Sequence, residues 1–270
     1  MDFNIFYKVI SENEKYHADT THISKSGLDL IHKAPAKYYE RYLNPNKSPE
    51  KRTEYFVEGS AFHTIILEPE LFKNEFVVHL PFKGEGSQKQ KQQLISMNPG
   101  KDIISMETYN KINYMRDSVM NHPIAGELFN NGFAERVFKW IEPTTGVKCK
   151  CKPDFFNTQR KCIIDLKSTD DASNGSFIRS SFKYRYHVQS PFYTDGLKNN
   201  GIDSDAFIFV AVEKEPPYLV NVFYSPKDSM DFGREEYLND LEIYKECKLN
   251  NEWPGYDETI TPLELPGWIK

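Results

Sequence analysis

The chain has 270 residues, 39% of them hydrophobic and 14% aromatic, which is enough to bury a substantial core, and no linker favours two domains over one. A mean hydropathy of -0.63 without a long apolar run excludes a membrane span, and the first residues lack the basic and apolar pattern of a secretory signal. A net charge of -5 is unlike that of a typical nucleic-acid-binding protein, so any such function requires a local basic surface.

The four cysteines do not suggest a disulfide framework or a zinc site. Their positions are Cys149, Cys151, Cys162 and Cys247, which match no standard metal-binding spacing. We therefore expect reduced, buried thiols and a cytoplasmic protein.

The first helical pattern runs from His22 to Leu43. Ser24 or Ser26 can cap a first short helix, Pro35 interrupts the pattern, and Ala36–Leu43 predicts a second helix.

A stronger helical pattern covers Glu54–Leu67 and ends before Pro69. It contains His63, and a lone histidine on an apolar helix is more often a satisfied core residue than a metal ligand. The small residues Gly59–Ala61 shift this balance, because they let a sheet or a substrate backbone approach closely.

The next elements lead to the centre of the chain. Residues Pro81–Gly100 predict a polar loop with a short helix, and Ser105–Asn121 predicts a capped helix. Ala134–Ile141 predicts one strand, which a turn at Pro143–Gly146 connects to the next.

The segment from Val147 to Lys167 carries the chemistry. Cys162–Lys167 predicts a strand on which Asp165 and Lys167 share one face, and Val147–Lys152 is its expected hairpin partner. This pairing would bring Asp154 near Asp165.

Two converging carboxylates repel each other unless a cation lies between them, and Mg²⁺ prefers such oxygen ligands. A neighbouring lysine can orient a water or offset charge on a phosphorane-like transition state. The alternative is a surface hairpin with solvated charges, since an Asp-x-Lys triplet is common.

A further helical pattern, Ser181–Asn199, places Tyr186, Gln189 and Tyr193 on one stripe. Pro191 predicts a kink or an early-turn position, because proline inside a helix is destabilising by up to ~3 kcal/mol.

The remaining pattern completes a sheet and closes the domain. Ala206–Val212 predicts a buried strand, and Tyr218–Tyr224 predicts its hairpin partner. Lys227–Leu249 predicts a long helix, and Trp253–Tyr256 predicts irregular cover or a subunit contact.

Three basic runs could form a DNA channel, although charge runs are usually solvated surface. They are Lys148 with Lys150 and Lys152, Arg179 with Lys183 and Arg185, and the loop Lys83–Lys91.

The central motif resembles the PD-(D/E)xK nuclease signature, with Pro153-Asp154 followed by Asp165-Leu166-Lys167. Gly59–His63, and Gln189 with Tyr193, are similar to motifs of the subgroup that includes the RecB nuclease domain, lambda exonuclease and RecE. Within it, the RecE-type (exonuclease VIII) nuclease family is resembled most closely by three segments, Lys183–Tyr193, Ala211–Pro217 and Trp253–Tyr256. The resemblance runs roughly from Ile23 to Tyr256.

This resemblance implies a single restriction-endonuclease-like α/β domain, a mixed central β-sheet with helices on both faces. Its parts would be an N-terminal helical part at about 1–130, a sheet core at about 131–225, and a C-terminal helix and tail at about 226–270.

The resemblance also implies a metal site. One or two Mg²⁺ ions, with Mn²⁺ as the alternative, would be bound by His63, Asp154, Asp165 and the main-chain carbonyl of Leu166. Lys167 would position or help deprotonate the attacking water, and Gln189 would orient it or a phosphate.

Other residues are secondary candidates by the same resemblance. Glu135 would lie near the metals, unless it is a solvated strand-end glutamate, and Tyr193 would contact the substrate. Ser24, Lys25 and Ser26 would hold a 5′-phosphate, with helix capping as the alternative. From the local basic cluster rather than the resemblance, Lys183 and Arg185 are candidates to bind DNA or phosphate.

The function so implied is a 5′-to-3′ exodeoxyribonuclease that digests linear double-stranded DNA and leaves 3′ overhangs for recombination. The expected partners are duplex ends, a ring-shaped homo-oligomer, tetramer rather than trimer, and a single-strand annealing protein of the RecT type. A bacterial or phage-derived cytoplasmic protein is expected. The alternatives are an endonuclease or single-strand nuclease of the RecB-like group and a non-catalytic DNA-binding subunit.

Overall fold

The fold is built around a five-stranded sheet. The computed structural model describes residues 12–47, 52–82 and 86–264. The described helices are α1 (Glu12–Ala18), α2 (Lys25–Lys33), α3 (Pro35–Tyr38, continued by a π-helical turn over Tyr39–Leu43), α4 (Glu54–Leu67), α5 (Phe72–Glu75), α6 (Ser87–Met97), α7 (Met106–Asn121), α8 (Ala125–Leu128), α9 (Asn174–Lys183), α10 (Tyr186–Lys198) and α11 (Lys227–Asn250). The described strands are β1 (Phe76–His79), β2 (Asp102–Ser105), β3 (Gly132–Ala134), β4 (Phe138–Ile141), β5 (Lys148–Cys151), β6 (Phe155–Asn157), β7 (Cys162–Thr169), β8 (Ala206–Glu213) and β9 (Val220–Tyr224).

The central sheet is mixed, as predicted. Its strand order is β3-β6-β7-β8-β9, in which β7 and β8 run parallel and the other neighbours run antiparallel. Two smaller two-stranded sheets lie outside it, β1 with β2 and β4 with β5.

Helices cover both faces of this sheet because the strands are apolar on both sides. Ile163 belongs to a core cluster with α2, α10 and α11, whereas Ile164 and Leu166 belong to a second cluster with α4 and α7. The predicted alternation along β7 is therefore confirmed. It places Asp165 and Lys167 on the α10 side.

Local signals determine the bounds of the long helices. Thr53 caps α4 by accepting the N–H of Phe56 at 3.2 Å, and Ser105 caps α7 by accepting the N–H of Thr108 at 3.0 Å. Ser24 caps α2 in the same way. The predicted helices Glu54–Leu67 and Ser105–Asn121 are confirmed.

The predicted hairpin of Val147–Lys152 with Cys162–Lys167 is wrong. β5 pairs with β4 in a separate sheet, and the antiparallel partner of β7 is the short strand β6. Both Phe155 and Phe156 of β6 are buried, one against each core, so this strand fills the sheet interior.

The single strand predicted over Ala134–Ile141 is two strands in two sheets. Glu135 interrupts it with a left-handed backbone at φ 50°, which directs the chain out of the central sheet after β3. A bulky residue adopts this conformation rarely, so the surrounding structure must stabilise it.

The predicted helix over Ser181–Asn199 is also divided. α9 and α10 are separated at Tyr184 and Arg185, and Arg185 has φ 55°. Pro191 lies inside α10, so the early-turn alternative is wrong.

The C-terminal segment packs as irregular cover, as predicted. Trp253 stacks on Tyr38 at 5.5 Å, and the carbonyl of Pro254 accepts the N–H of Ala36 at 3.0 Å. Among the described helices, none has the length and apolar character needed to cross a membrane.

Candidate active site

Three neighbouring strands bring three carboxylates together. Glu135 directly follows β3, Asp154 directly precedes β6, and Asp165 lies in β7. Ala134 pairs with Phe155, which pairs with Ile164, so the acidic residues are neighbours across the sheet. The N–H of Glu135 donates to the carbonyl of Asp154 at 3.1 Å, which continues this register.

Helix α4 adds an imidazole from the face of the second core. Nδ1 of His63 lies 3.6 Å from Oδ2 of Asp154, and the ligand atoms of His63, Glu135 and Asp154 all lie within 4.8 Å of one another. Octahedral ligands at ~2.1 Å from Mg²⁺ are ~3.0 to ~4.2 Å apart. The observed spacing is therefore close to that of a metal site.

The main chain of Leu166 lies between these groups. Its N–H donates to Oδ2 of Asp154 at 2.7 Å, and its backbone also hydrogen-bonds His63. The expected proximity of the Leu166 main chain to the metal ligands is thus present, while its carbonyl as a ligand stays a prediction.

Asp165 is held by residues on the α10 face of the sheet, opposite helix α4. Its side chain is 1% exposed, forms an ion pair with Lys167 and accepts the amide N–H of Gln189. The ring of Tyr186 lies 4.9 Å from Nζ of Lys167. Gln189 and Tyr186 from the predicted stripe on α10 therefore reach the site, and Gln189 orients a carboxylate directly.

Tyr193, the third residue of that stripe, is partly buried. Burial raises its pKa well above the ordinary value, with Tyr16 and Asp165 adding to the effect. The phenol is therefore neutral beside the carboxylates.

The carboxylates are costly to ionise without a cation. Burial raises the pKa of Asp165 to about 6 against the opposing effect of Lys167. Burial, with repulsion from Asp154, raises the pKa of Glu135 to about 7, and burial also raises the pKa of Asp154. Such clustering of raised carboxyl pKa values is typical of functional sites.

The two basic groups of the site, His63 and Lys167, differ in protonation state. Burial lowers the pKa of His63 to about 4, so its imidazole is neutral and free to bind a metal. Burial alone would lower the pKa of Lys167, but Asp165 and Asp154 outweigh it and raise that pKa. Lys167 is therefore a cation in this arrangement.

The folded-state pKa values predict a pH-dependent response to metal. Both Asp165 and Glu135 have a pKa above the unfolded value, so their contribution to stability is present in acid and lost as pH rises from ~4 to ~7. A cation that binds the ionised carboxylates reverses this loss. We expect Mg²⁺ or Mn²⁺ to raise the Tm by about 5 °C at about pH 8 and by much less at about pH 5.

Thermal unfolding with and without metal at the two pH values checks this expectation. An equal Tm increase at both would contradict it, because it would locate the cation away from titrating carboxylates. Ca²⁺ provides a second hard cation for comparison.

Several predicted DNA-binding residues are not available at the surface. Arg185 is buried and forms ion pairs with Asp29, Glu236 and Asp240 at 3.3, 3.1 and 2.7 Å. Direct phosphate binding by Arg185 is therefore corrected to a structural role, because three carboxylates already compensate its charge.

The three residues predicted to hold a 5′-phosphate also differ in their surroundings. Lys25 is buried, donates to the carbonyl of Tyr184 at 2.7 Å and pairs with Asp29 at 2.8 Å, and Ser24 caps α2. The capping alternative thus describes Ser24, and Lys25 is corrected to a structural role. Ser26 and Lys183 are exposed, so their roles stay predictions.

The predicted basic face of β5 is also wrong. Lys150 is buried and donates to the main-chain carbonyls of Tyr16 and Asp19, and Lys152 forms an ion pair with Glu135. Of this run, only Lys148 is exposed. In the third run, residues 83–85 lie outside the described residues and the rest begins α6.

Sequence reasoning missed two residues of the site. Lys152 neutralises Glu135, and Glu68 lies near enough to contribute to the raised pKa of Glu135. Glu68 follows α4 directly, five residues after His63, and this acidic residue at the helix end was the available signal.

Comparison with solved structures supports the fold. A protein from Eubacterium rectale with the name "Putative exonuclease" has 15% sequence identity, a TM-score of 0.60 and 96% of each chain covered. A phage-related exonuclease from Haemophilus somnus 129PT has 12% identity over 83% of this chain and 95% of its own, with a TM-score of 0.34. At such identities the first likeness shows the fold alone. A search of curated proteins gives no match.

A family model matches most of the chain. It is the PDDEXK-like domain of unknown function (DUF3799), and the match covers residues 24–265. This range includes each of the carboxylates, His63 and Lys167. The chain therefore belongs to the PDDEXK-like family that the Pro-Asp and Asp-x-Lys motifs predicted.

Proposed function

We propose that this protein is a metal-dependent exodeoxyribonuclease that digests linear double-stranded DNA in the 5′-to-3′ direction and leaves 3′ single strands. The observation that carries the proposal is the cluster of His63, Glu135 and Asp154, which lies beside the buried ion pair of Asp165 with Lys167.

Three residues already fit a divalent cation, since the ligand atoms of His63, Glu135 and Asp154 lie within 4.8 Å of one another. A Mg²⁺ or Mn²⁺ ion held by His63, Asp154, Asp165 and the Leu166 carbonyl, with Glu135 adjacent, would supply Lewis-acid stabilisation and acidify a bound water.

The protein groups then have separate tasks. The ammonium of Lys167 offsets the negative charge that develops on the phosphate, and it positions the attacking water. Gln189 holds Asp165 in place through its amide. The water oxygen forms a bond to phosphorus as the bond to the leaving 3′-oxygen breaks, giving a 5′-phosphate and a 3′-hydroxyl.

The choice of duplex ends and of polarity rests on similarity. The segments Lys183–Tyr193 and Trp253–Tyr256 resemble the RecE-type family, and the Eubacterium rectale structure with a similar fold has the name "Putative exonuclease". By the same resemblance, we propose a ring-shaped homo-oligomer, a tetramer rather than a trimer, and an annealing protein of the RecT type as partner in the cytoplasm.

Digestion of end-labelled DNA tests this function. One linear duplex is labelled at the 5′ or the 3′ end, and the same DNA is supplied as a covalently closed circle, with Mg²⁺, Mn²⁺ or a chelator. We expect 5′ label to be released as mononucleotides only with metal, while 3′ label stays in long strands and the circle stays intact.

Other outcomes select the alternatives. Cleavage of the circle would identify an endonuclease, and digestion of denatured DNA alone would identify a single-strand nuclease. Binding of duplex ends without cleavage in either metal would identify a DNA-binding subunit.

A further inference from the structure

Two tyrosines with exposed rings lie beside the candidate active site. Tyr184 is 52% exposed, and its ring lies 5.9 Å from that of Tyr186 with the planes 28° apart. Tyr186 in turn lies 4.9 Å from Nζ of Lys167. Tyr55 is 65% exposed, and it is close enough to add to the raised pKa of Tyr186. The ring of Tyr184 is thus one aromatic neighbour away from Lys167.

The backbone that presents Tyr184 is held firmly. Its N–H donates to the carbonyl of Ser180 at 2.9 Å, and its carbonyl accepts from the buried Lys25 at 2.7 Å. The next residue, Arg185, has the left-handed φ of 55° and is locked by three carboxylates. Burying the Lys25 ammonium and placing Arg185 in the left-handed region both cost free energy. The hydrogen bond of Lys25 and the ion pairs of Arg185 offset that cost and hold the backbone at Tyr184 in one conformation.

Each exposed ring also has a lysine beside it. Nζ of Lys183 lies 5.3 Å from the ring centroid of Tyr184. Nζ of Lys214 lies 4.4 Å from the ring centroid of Tyr55 and donates to its hydroxyl at 2.8 Å. Lys214 is buried and also pairs with Asp170, so it holds the Tyr55 ring, whereas the exposed Lys183 is available to a phosphate. An exposed aromatic ring with an adjacent cation is what single nucleic-acid strands bind, through base stacking and phosphate contacts.

We propose that Tyr184 is a stacking platform for a nucleobase of the strand whose phosphate lies at Asp154, Asp165 and Lys167, with Tyr55 as a second aromatic contact. The proposal rests on the proposed nuclease function and extends it to the form of the bound substrate. A base inside a duplex already has neighbours on both faces, so only a terminal or an unpaired base can stack on Tyr184. The platform therefore selects a duplex end or a single-stranded terminus.

Photo-cross-linking locates the base without requiring cleavage. A duplex with 5-iodouracil at one position near the 5′ end, moved one nucleotide at a time, is bound in Ca²⁺, irradiated and digested for peptide mass spectrometry. A gel of the irradiated sample shows whether the DNA is intact. We expect an adduct on Tyr184 from one or two terminal positions, and none from an internal position of the duplex.

Kinetics of three variants separate stacking from folding. Tyr184→Ala is expected to raise the KM for linear duplex about tenfold with little change in kcat, because a stacked base is lost, whereas Tyr184→Phe keeps the ring and near wild-type values. Tyr256→Ala is the matched control, since Tyr256 is 73% exposed and has Nζ of Lys37 at 5.0 Å from its ring. Equal Tm values would show that the variants fold.

The outcomes distinguish this proposal from the proposed function. If Tyr184→Ala cleaves DNA with unchanged kinetics, or if cross-links form only to other residues, the stacking role of Tyr184 is wrong. The proposed nuclease function is unaffected by either result. A Tyr184 adduct in a protein that cleaves no DNA supports the platform and overturns the nuclease.

Discussion

Replacing Asp154 by asparagine is expected to lower the rate of DNA cleavage about 10³-fold and to leave the metal-free protein at least as stable as the wild type. Asp154 is the carboxylate shared by the two halves of the site, because its Oδ2 lies 3.6 Å from His63 and accepts the N–H of Leu166 at 2.7 Å. The asparagine carbonyl can still accept this hydrogen bond. The variant loses a charge but no local contact.

The stability part of this expectation follows from the pKa of Asp154. Burial raises it, which means that ionising this group in the folded protein opposes folding near neutral pH. A neutral amide removes that penalty and also the repulsion with Glu135. The increase of Tm on adding Mg²⁺ should shrink with it, since a metal ligand has been removed.

Initial cleavage rates and metal-dependent Tm values test Asp154→Asn. Asp257→Asn, an exposed carboxylate on the C-terminal segment, is the control and should leave both unchanged. Cleavage within tenfold of wild type in Asp154→Asn would place the chemistry elsewhere.

Gly233→Ala is expected to destabilise the fold by about 3 kcal/mol or more and to lower the Tm by about 10 °C. A Cβ on Gly233 would lie 1.8 Å from the main-chain oxygen of His187 and 2.5 Å from its carbonyl carbon. Both atoms belong to the backbone of α10, so no side-chain rotation relieves the overlap. Helix α11 must move away from α10.

The same contact lies at the carbonyl that Pro191 leaves without a helical donor in α10. Proline has no N–H, so the carbonyl of His187 four residues earlier lacks its usual helical donor. That carbonyl faces Gly233 of α11 at close range. Since Gln189 lies two residues beyond His187 and binds Asp165, displacement of α10 should also reduce cleavage more than tenfold at temperatures where the variant is folded.

Calorimetry and cleavage assays of Gly233→Ala test this coupling, with Gly175→Ala in α9 as control. A Cβ on Gly175 would meet only the end of the Arg179 side chain at 3.6 Å, so that variant should match wild type or gain slightly in stability. A Gly233→Ala protein with wild-type Tm would show that the two helices separate easily.

The sequence alone determined the local elements and the residue types of the site. Caps and apolar periodicity predicted α4, α7 and α11 to within a few residues, and the apolar run predicted β8, because these signals act between residues close in the chain. The Pro-Asp and Asp-x-Lys motifs, with His63 and Gln189, predicted the family for the same reason: they are short patterns.

The tertiary structure alone decided which strands are neighbours and which charges are buried. β6 takes the place beside β7 that the sequence assigned to β5, and it thereby aligns Glu135, Asp154 and Asp165 across three strands. The sequence predicted that Arg185 binds DNA, but in the structure Asp29, Glu236 and Asp240 compensate its charge. Strand pairing and charge compensation join residues far apart in the chain, and local periodicity carries no information about such partners.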